Sequence, residues 1–248
     1  MIIHRIKKYV KNSSISFKVK AVRIGLGYTA VSLESGATGV TYTFSPHSSP
    51  GCSLFKGKRP LSGKRASELL AYLGSKDRIE SALGLATVNA LVNTKSEKTV
   101  SGDILKFLTI QPGEKMVMVG YFAPLIQPLK EKGVNLTVFD EKENRDLGIL
   151  PYQKSSQYLQ TCNTALISST SIINHTIDPL LDCVQNCPQV ILLGASTPLI
   201  PQIFEDTPVD YLAGILVTHP QEVLKVVSEA GGMGFFKPYV QKVRVRVE

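Results

Sequence analysis

The chain has 248 residues, 28 of them Lys or Arg and 20 Asp or Glu, for a formal net charge of +8. With 43% hydrophobic and 19% charged residues it can bury a sizeable core, which excludes a globally disordered chain. No apolar run approaches the roughly 20 residues of a membrane-spanning helix, and the start, Met1-Ile-Ile-His-Arg-Ile-Lys-Lys, lacks a signal peptide's apolar stretch, so the chain reads as soluble and cytoplasmic.

Ile15 to Val22 alternates apolar with polar residues, as a half-buried strand does, and strand character continues to Leu33 across Gly25 and Gly27. Glu34 to Gly39 reads as a turn, and Val40 to Phe44 as a β-branched and aromatic strand. Ser45 to Gly63, with Pro46, Pro50 and Pro60, reads as irregular. Two helices are predicted next: Ser67 to Leu73, then Asp77 to Val92 with Ile79, Leu83, Ala86, Ala90 and Leu91 on one face. Asn93 to Ser101 is polar and reads as a linker.

From Gly102 the pattern alternates. Asp103 to Leu108 reads as a short helix, Lys115 to Val119 as a buried strand ending at Gly120, and Ala123 to Lys132 as a helix. Val134 to Phe139 is the next strand, ending at Asp140, followed by strands at Ala165 to Ile167, Val190 to Leu193 and Leu212 to Val217. Helices are expected after them near Thr176 to Gln185, Pro198 to Phe204 and Pro220 to Ala230, then a flexible Gly231 to Gly234 turn and a basic strand from Val240 to Val247. Apolar strands separated by helices mark a doubly wound parallel sheet. The fold class is therefore α/β: a small α+β domain over residues 1–98, followed by a Rossmann-like domain over residues 99–248.

Charge is unevenly shared. Residues 1–65 hold 12 Lys and Arg against one acid, Glu34, a net +11, whereas residues 66–248 hold 16 against 19, a net −3. No nucleic-acid-binding motif accompanies the basic quarter, so nucleic acid is disfavoured and solvated Lys-rich strands are the simpler reading. If that quarter walls a cleft, its charge favours an anionic ligand.

Ligands of open α/β sheets lie outside the carboxyl ends of the strands, where Gly120-Tyr121-Phe122-Ala123-Pro124 falls. One glycine followed by two bulky rings does not make a three-glycine fingerprint, so conventional NAD binding is disfavoured. Asp140, 20 residues after Gly120, stands where a Rossmann acid grips a ribose. This keeps a nucleoside-containing ligand open beside the alternative of a solvated turn acid. Ser168-Ser169-Thr170-Ser171 and Asn174-His175-Thr176 bring hydroxyls and an amide to a helix entry, suited equally to an anion and to ordinary capping. In Gly194-Ala195-Ser196-Thr197-Pro198, Thr197 reads as the cap of a helix begun by Pro198, and this stretch joins the previous one in a composite polar cleft.

Other patterns carry less. Gly57 to Lys64 mimics a P-loop, but it has five residues between its glycines and Arg65 where Ser or Thr should hold magnesium. Cys52, Cys162, Cys183 and Cys187 read as reduced thiols. Cys183 and Cys187, four apart on a predicted helix, would share one face, though two thiols are too few for a closed zinc site.

Four segments resemble a known family: Gly84-Leu-Ala-Thr-Val-Asn-Ala90, Gly120-Tyr-Phe-Ala-Pro124, Asn174-His-Thr176 and Gly194-Ala-Ser-Thr-Pro198. They are similar to the proteins grouped as "Putative heavy-metal chelation", over nearly the whole chain. The resemblance implies a first domain like the N-terminal domain of enolase, a Rossmann-like second domain, and a site in the cleft between them. It implies a heavy metal or a metal-containing cofactor as ligand, and it turns Asn89 toward the cleft. Glu34, the lone acid of the basic quarter, and His175 are the candidates for proton transfer. The expected ligand contacts are Asn89, Gly120, Tyr121, Phe122, Asp140, Ser168, Ser171, Asn174, Thr176, Gly194, Ser196 and Thr197. No His, Cys and Asp spacing defines a metal site, so metal ligands stay unassigned. Two functions remain open: binding or chelation of a heavy metal or metal-linked cofactor, and an enzyme acting on a nucleotide-like or pterin-like anion. A homo-oligomer is compatible with either.

Overall fold

A computed structural model describes residues 1–11, 16–44 and 53–248. The expectations at Ile15, Pro46, Pro50 and Cys52 lie outside the described residues.

The chain starts with α1 (Ile2–Val10), which the sequence reading did not foresee. Ile2, Ile6 and Val10 recur every fourth residue, so one stripe is apolar, and all three are buried. Three strands, β1 (Val19–Ile24), β2 (Tyr28–Leu33) and β3 (Thr38–Tyr42), then pair antiparallel in a small sheet. Two helices follow, α2 (Ala66–Leu70) and α3 (Arg78–Val92).

Asp77 starts α3 by accepting the backbone N–H groups of Ile79 and Glu80 at 2.9 and 3.1 Å. From Ile79 to Ala90 nearly the whole circumference of α3 is buried, as an all-round apolar helix requires. Ile79, Leu83, Ala86 and Ala90 pack on Val31 and Leu33 of the small sheet. Ala82, Leu85 and Val88 belong instead to the core that holds α1 and the large sheet. The helix is thus a shared wall. Its approach to β3 leaves no room for a side chain at Gly39, where a Cβ would collide with the backbone of Ala86, Asn89 and Ala90.

The second sheet has eight strands: β4 (Val100–Ser101), β5 (Lys115–Val119), β6 (Asn135–Asp140), β7 (Ile149–Pro151), β8 (Thr164–Ser168), β9 (Gln189–Leu193), β10 (Tyr211–Val217) and β11 (Val240–Arg246). Its order is β4-β11-β10-β9-β8-β5-β6-β7; β5 to β10 run parallel, and β4 and β11 form an antiparallel edge. The helices between and beyond them are α4 (Ala123–Glu131), α5 (Ser155–Leu159), α6 (Thr170–Ile173), α7 (Ile177–Cys183), α8 (Pro220–Ser228) and α9 (Met233–Phe236). Successive side chains serve opposite faces: Val117, Val119 and Ile167 join one core, Met116, Met118 and Leu166 the other. Burial on both faces is why these strands read as continuous apolar runs. The six parallel strands follow the doubly wound order, which reverses between β5 and β8 and opens a crevice at their carboxyl ends.

Five expectations are corrected. Pro198 to Phe204 forms no α-helix, only a tight turn at Pro201–Ile203. Pro201 has no N–H to give, and Asn93 captures the backbone, accepting the Leu199 N–H and donating to the Thr197 carbonyl, both at 2.9 Å. Asn93 to Ser101 is therefore more than a linker, since Val100 and Ser101 also form the edge strand β4. Thr170 to Ile173 is helical, not a loop, and Gly231 to Gly234 leads into the short helix α9. Finally, α7 ends at Cys183, so Cys187 does not share a helix with it.

Candidate functional site

A cavity of about 330 Å³ opens at the carboxyl ends of β5, β6, β8 and β9, beneath the small sheet. Gly120 ends β5 with φ +96°, and a Cβ there would stand 2.6 Å from the Ser168 Cβ at the end of β8. Glycine alone permits both the left-handed turn and this approach. Asp140 ends β6 and ties down the neighbouring loops: Oδ2 accepts the Tyr121 N–H at 2.9 Å and Oδ1 the Lys142 N–H at 3.2 Å. Ser168 and Thr170 share a hydroxyl hydrogen bond of 2.8 Å, while the Ser169 hydroxyl donates to the Leu193 carbonyl at 3.1 Å. Gly194, after β9, lies beside the Ser169 hydroxyl and the Phe122 ring.

The small sheet closes the other side with rings. Tyr28, Tyr42 and Phe44 line the cavity, meeting edge to face at 5.9 and 5.1 Å between centroids. The Tyr42 N–H donates to Ser196 Oγ at 2.9 Å, stitching β3 to the loop after β9. Arg78, at the start of α3, lies over the Phe44 ring at 4.7 Å and pairs with Glu141 at 2.7 Å. Glu141 also accepts from the Asn174 amide at 2.7 Å. Tyr121, Phe122 and Tyr152 add three further rings. Burial, then the nearby Tyr42 phenol, pushes the Tyr28 phenol up to about 12. Burial followed by the Asp140 and Glu141 carboxylates raises Tyr42 as well, and burial raises Tyr152 against a hydrogen bond from Thr176.

Ten of the expected contacts line this cavity: Gly120, Tyr121, Phe122, Asp140, Ser168, Ser171, Asn174, Thr176, Gly194 and Ser196. Four other expected residues are elsewhere. Thr197 is wholly buried, its hydroxyl spent on Ser169 Oγ and the Ala213 carbonyl at 3.0 Å each. Asn89 faces the core side of β3, its amide donating to the Val40 carbonyl at 3.0 Å while its own oxygen finds no partner. Glu34 is exposed in the turn between β2 and β3, and exposed His175 has its Nε2 2.8 Å from the Ser75 carbonyl. Neither Glu34 nor His175 borders the cavity. Sequence reasoning missed Tyr28, Tyr42, Phe44, Arg78, Glu141 and Tyr152. The only local signal was the spacing of Tyr42 and Phe44 by two, which puts two rings on one side of an extended chain.

The expected positive wall is absent. Among the described residues no Lys or Arg of residues 1–65 borders the cavity, to which that quarter contributes Tyr28, Tyr42 and Phe44. The charged groups that do line it, Arg78, Lys142, Asp140 and Glu141, balance. Among the described residues no three His, Cys, Asp or Glu side chains converge as metal ligands. Among the described residues the cavity lining offers two carboxylates, Asp140 and Glu141, and no His or Cys. This donor set does not fit direct coordination of a heavy metal.

Residues 103–246 match the model of a family described as "Putative heavy-metal chelation" (DUF364). The chain belongs to this family. Residues 8–92 match a second model with the same description, so the two matches fall on either side of Asn93 to Gly102. An uncharacterised protein of Methanocaldococcus jannaschii is 25% identical over 263 residues, covering 100% of this chain and 99% of its own. Two solved structures of DUF364 proteins of unknown function share the fold. The one from Pyrococcus horikoshii has a TM-score of 0.85 at 24% identity over 100% of both chains. The one from Desulfitobacterium hafniense has 0.80 at 21% identity, over 99% of this chain and 97% of its own. Among the described residues no helix is long and apolar enough to cross a membrane.

Proposed function

We propose that this DUF364 protein binds one small, planar organic molecule of nucleobase or pterin type in the cavity between its two sheets. In this reading residues 1–98 supply Tyr28, Tyr42 and Phe44, and residues 99–248 supply Tyr121, Phe122, Tyr152 and the hydroxyl cluster. The observation that carries it is the lining: six aromatic rings around clustered hydroxyls. A volume near 330 Å³ suits a bicyclic ring and lies within the usual range of roughly 300–1,000 Å³ for ligand pockets. A heavy metal enters this picture as part of the bound molecule, through the ligand's own donors, because the described side chains around the cavity do not supply a coordination set. Asp140 keeps lone pairs free for a ring N–H or a ribose hydroxyl while it fixes the Gly120 loop.

A thermal-shift panel tests this reading. Pterins and nucleosides at about 100 times Kd should raise the melting temperature by roughly 5–10 °C, since a ligand that binds only the native state stabilises it. Heavy-metal salts alone should leave it unchanged. The opposite pattern, a rise with metal and none with any heteroaromatic compound, would overturn the proposal.

A further inference from the structure

The large sheet carries a second cluster of reactive groups at the end away from the cavity. Thr164 of β8 and Gln189 of β9 are register partners on adjacent parallel strands. Two residues earlier on each chain stand Cys162 and Cys187, so the register that pairs the strands also sets the cysteines opposite each other. Adjacent strands lie about 4.8 Å apart, inside the Cα separation of roughly 4.4–6.8 Å that a disulfide spans. The two Sγ atoms are 3.4 Å apart, and both thiols are free. Cys162 is buried and also donates to the Leu159 carbonyl at 3.3 Å, while Cys187 is partly exposed.

We propose that Cys162 and Cys187 are a reversible oxidation site, closing to an intramolecular disulfide on exposure to a two-electron oxidant of the peroxide class. The two sulfurs must approach by only about 1.4 Å to reach a bond length near 2.05 Å, a distance that side-chain rotation covers. The roles are unequal. The contact with Cys162 pulls the Cys187 thiol down despite burial, whereas that same contact and burial push the Cys162 thiol up. Cys187, the more exposed and more acidic, is therefore the nucleophile. Its thiolate attacks one oxygen of hydrogen peroxide, the O–O bond breaks, and the departing hydroxide takes a proton to leave as water. The Cys162 sulfur then attacks the sulfenic sulfur of Cys187; the S–O bond breaks, and hydroxide leaves with the Cys162 proton as the second water. Two thiols lose two electrons and two protons, and one peroxide becomes two waters.

The segment closed by this bond contains β8, α6 and α7, and with them Ser168, Ser171, Asn174 and Thr176 of the cavity lining. Closing a loop of this size removes freedom from the unfolded chain.

The test uses the full chain, reduced and then treated with a small excess of hydrogen peroxide. Of four thiols, two should disappear, the intact mass should fall by two hydrogens, and proteolysis should give one peptide pair joined through Cys162 and Cys187. The melting temperature should rise by roughly 5–10 °C, and dithiothreitol should reverse every change. Cys162→Ser should accumulate a dimedone-reactive sulfenic acid at Cys187, and Cys187→Ser should lose no thiol pair. Retention of all four thiols, a cross-link through Cys52 or Cys183, or oxygen addition at Cys187 of the unaltered chain would each overturn the proposal. The outcome is independent of what the cavity binds.

Discussion

Gly120 and Tyr28 show how single residues set the cavity. Gly120 joins a φ of +96° to a point of contact with Ser168, so a side chain there is penalised twice. Gly120→Ala should cost about 2–3 kcal/mol in a denaturant titration, from backbone strain and overpacking together, and should weaken ligand binding with it. At Tyr28 burial lifts the phenol from 10.0 to about 12, so the folded chain keeps a proton that the unfolded chain releases. The stability contributed by this group is complete below pH 10 and is lost as the pH climbs through 10 toward 12. The loss amounts to up to about 3 kcal/mol. A melting-temperature profile across that range should fall for the natural chain and fall less for Tyr28→Phe; identical profiles would contradict the assignment. Ser171 lines the cavity with a buried hydroxyl that has no protein partner.

Among the elements, the strands that lie inside the sheet were legible from the chain. Lys115 to Val119 forms as read, and α3 begins one residue after its Asp77 cap, because buried apolar runs and caps are local signals. What failed was decided by partners distant in sequence. Pro198 to Phe204 has a helix-start pattern, yet its backbone groups are taken by Asn93, 106 residues from Leu199. Asn93→Ala should cost roughly 2 kcal/mol, since it leaves the Thr197 carbonyl and the Leu199 N–H without partners, and a shifted urea midpoint at unchanged slope would register it. Edge strand β4 has two residues and exists only by pairing with β11, so no periodicity could announce it. Asp103 tells a similar story: burial favours its protonated form, but Lys242 of β11 at 2.6 Å and the Leu105 N–H outweigh burial and hold the carboxyl below its usual range. This contribution is present above the ordinary carboxylate range and disappears as the pH falls through the lowered value.

Across the molecule, the side of the cavity built on residues 99–248 was largely readable, Tyr121 and Phe122 included, and the rings of the small sheet were not. Doubly wound sheets place ligands at one end, so the Gly120, Ser168 to Thr176 and Gly194 stretches converge by topology alone. Tyr28, Tyr42 and Phe44 reach the same space because the small sheet is docked over the strand ends, packed on α3 and on α8, α9 and β10, a packing no local pattern encodes. The same docking explains why +11 over residues 1–65 says little about the ligand: those cations do not border the cavity. The central claim is that the ring-lined cavity binds a planar organic molecule. Its most direct test is a fluorescence titration of a pterin against the natural chain and against Tyr42→Leu, with Cys162→Ser as a reference variant remote from the cavity. One saturable site per chain, weakened at least tenfold by Tyr42→Leu and unchanged by Cys162→Ser, is the predicted result; affinity equal in all three chains would contradict it.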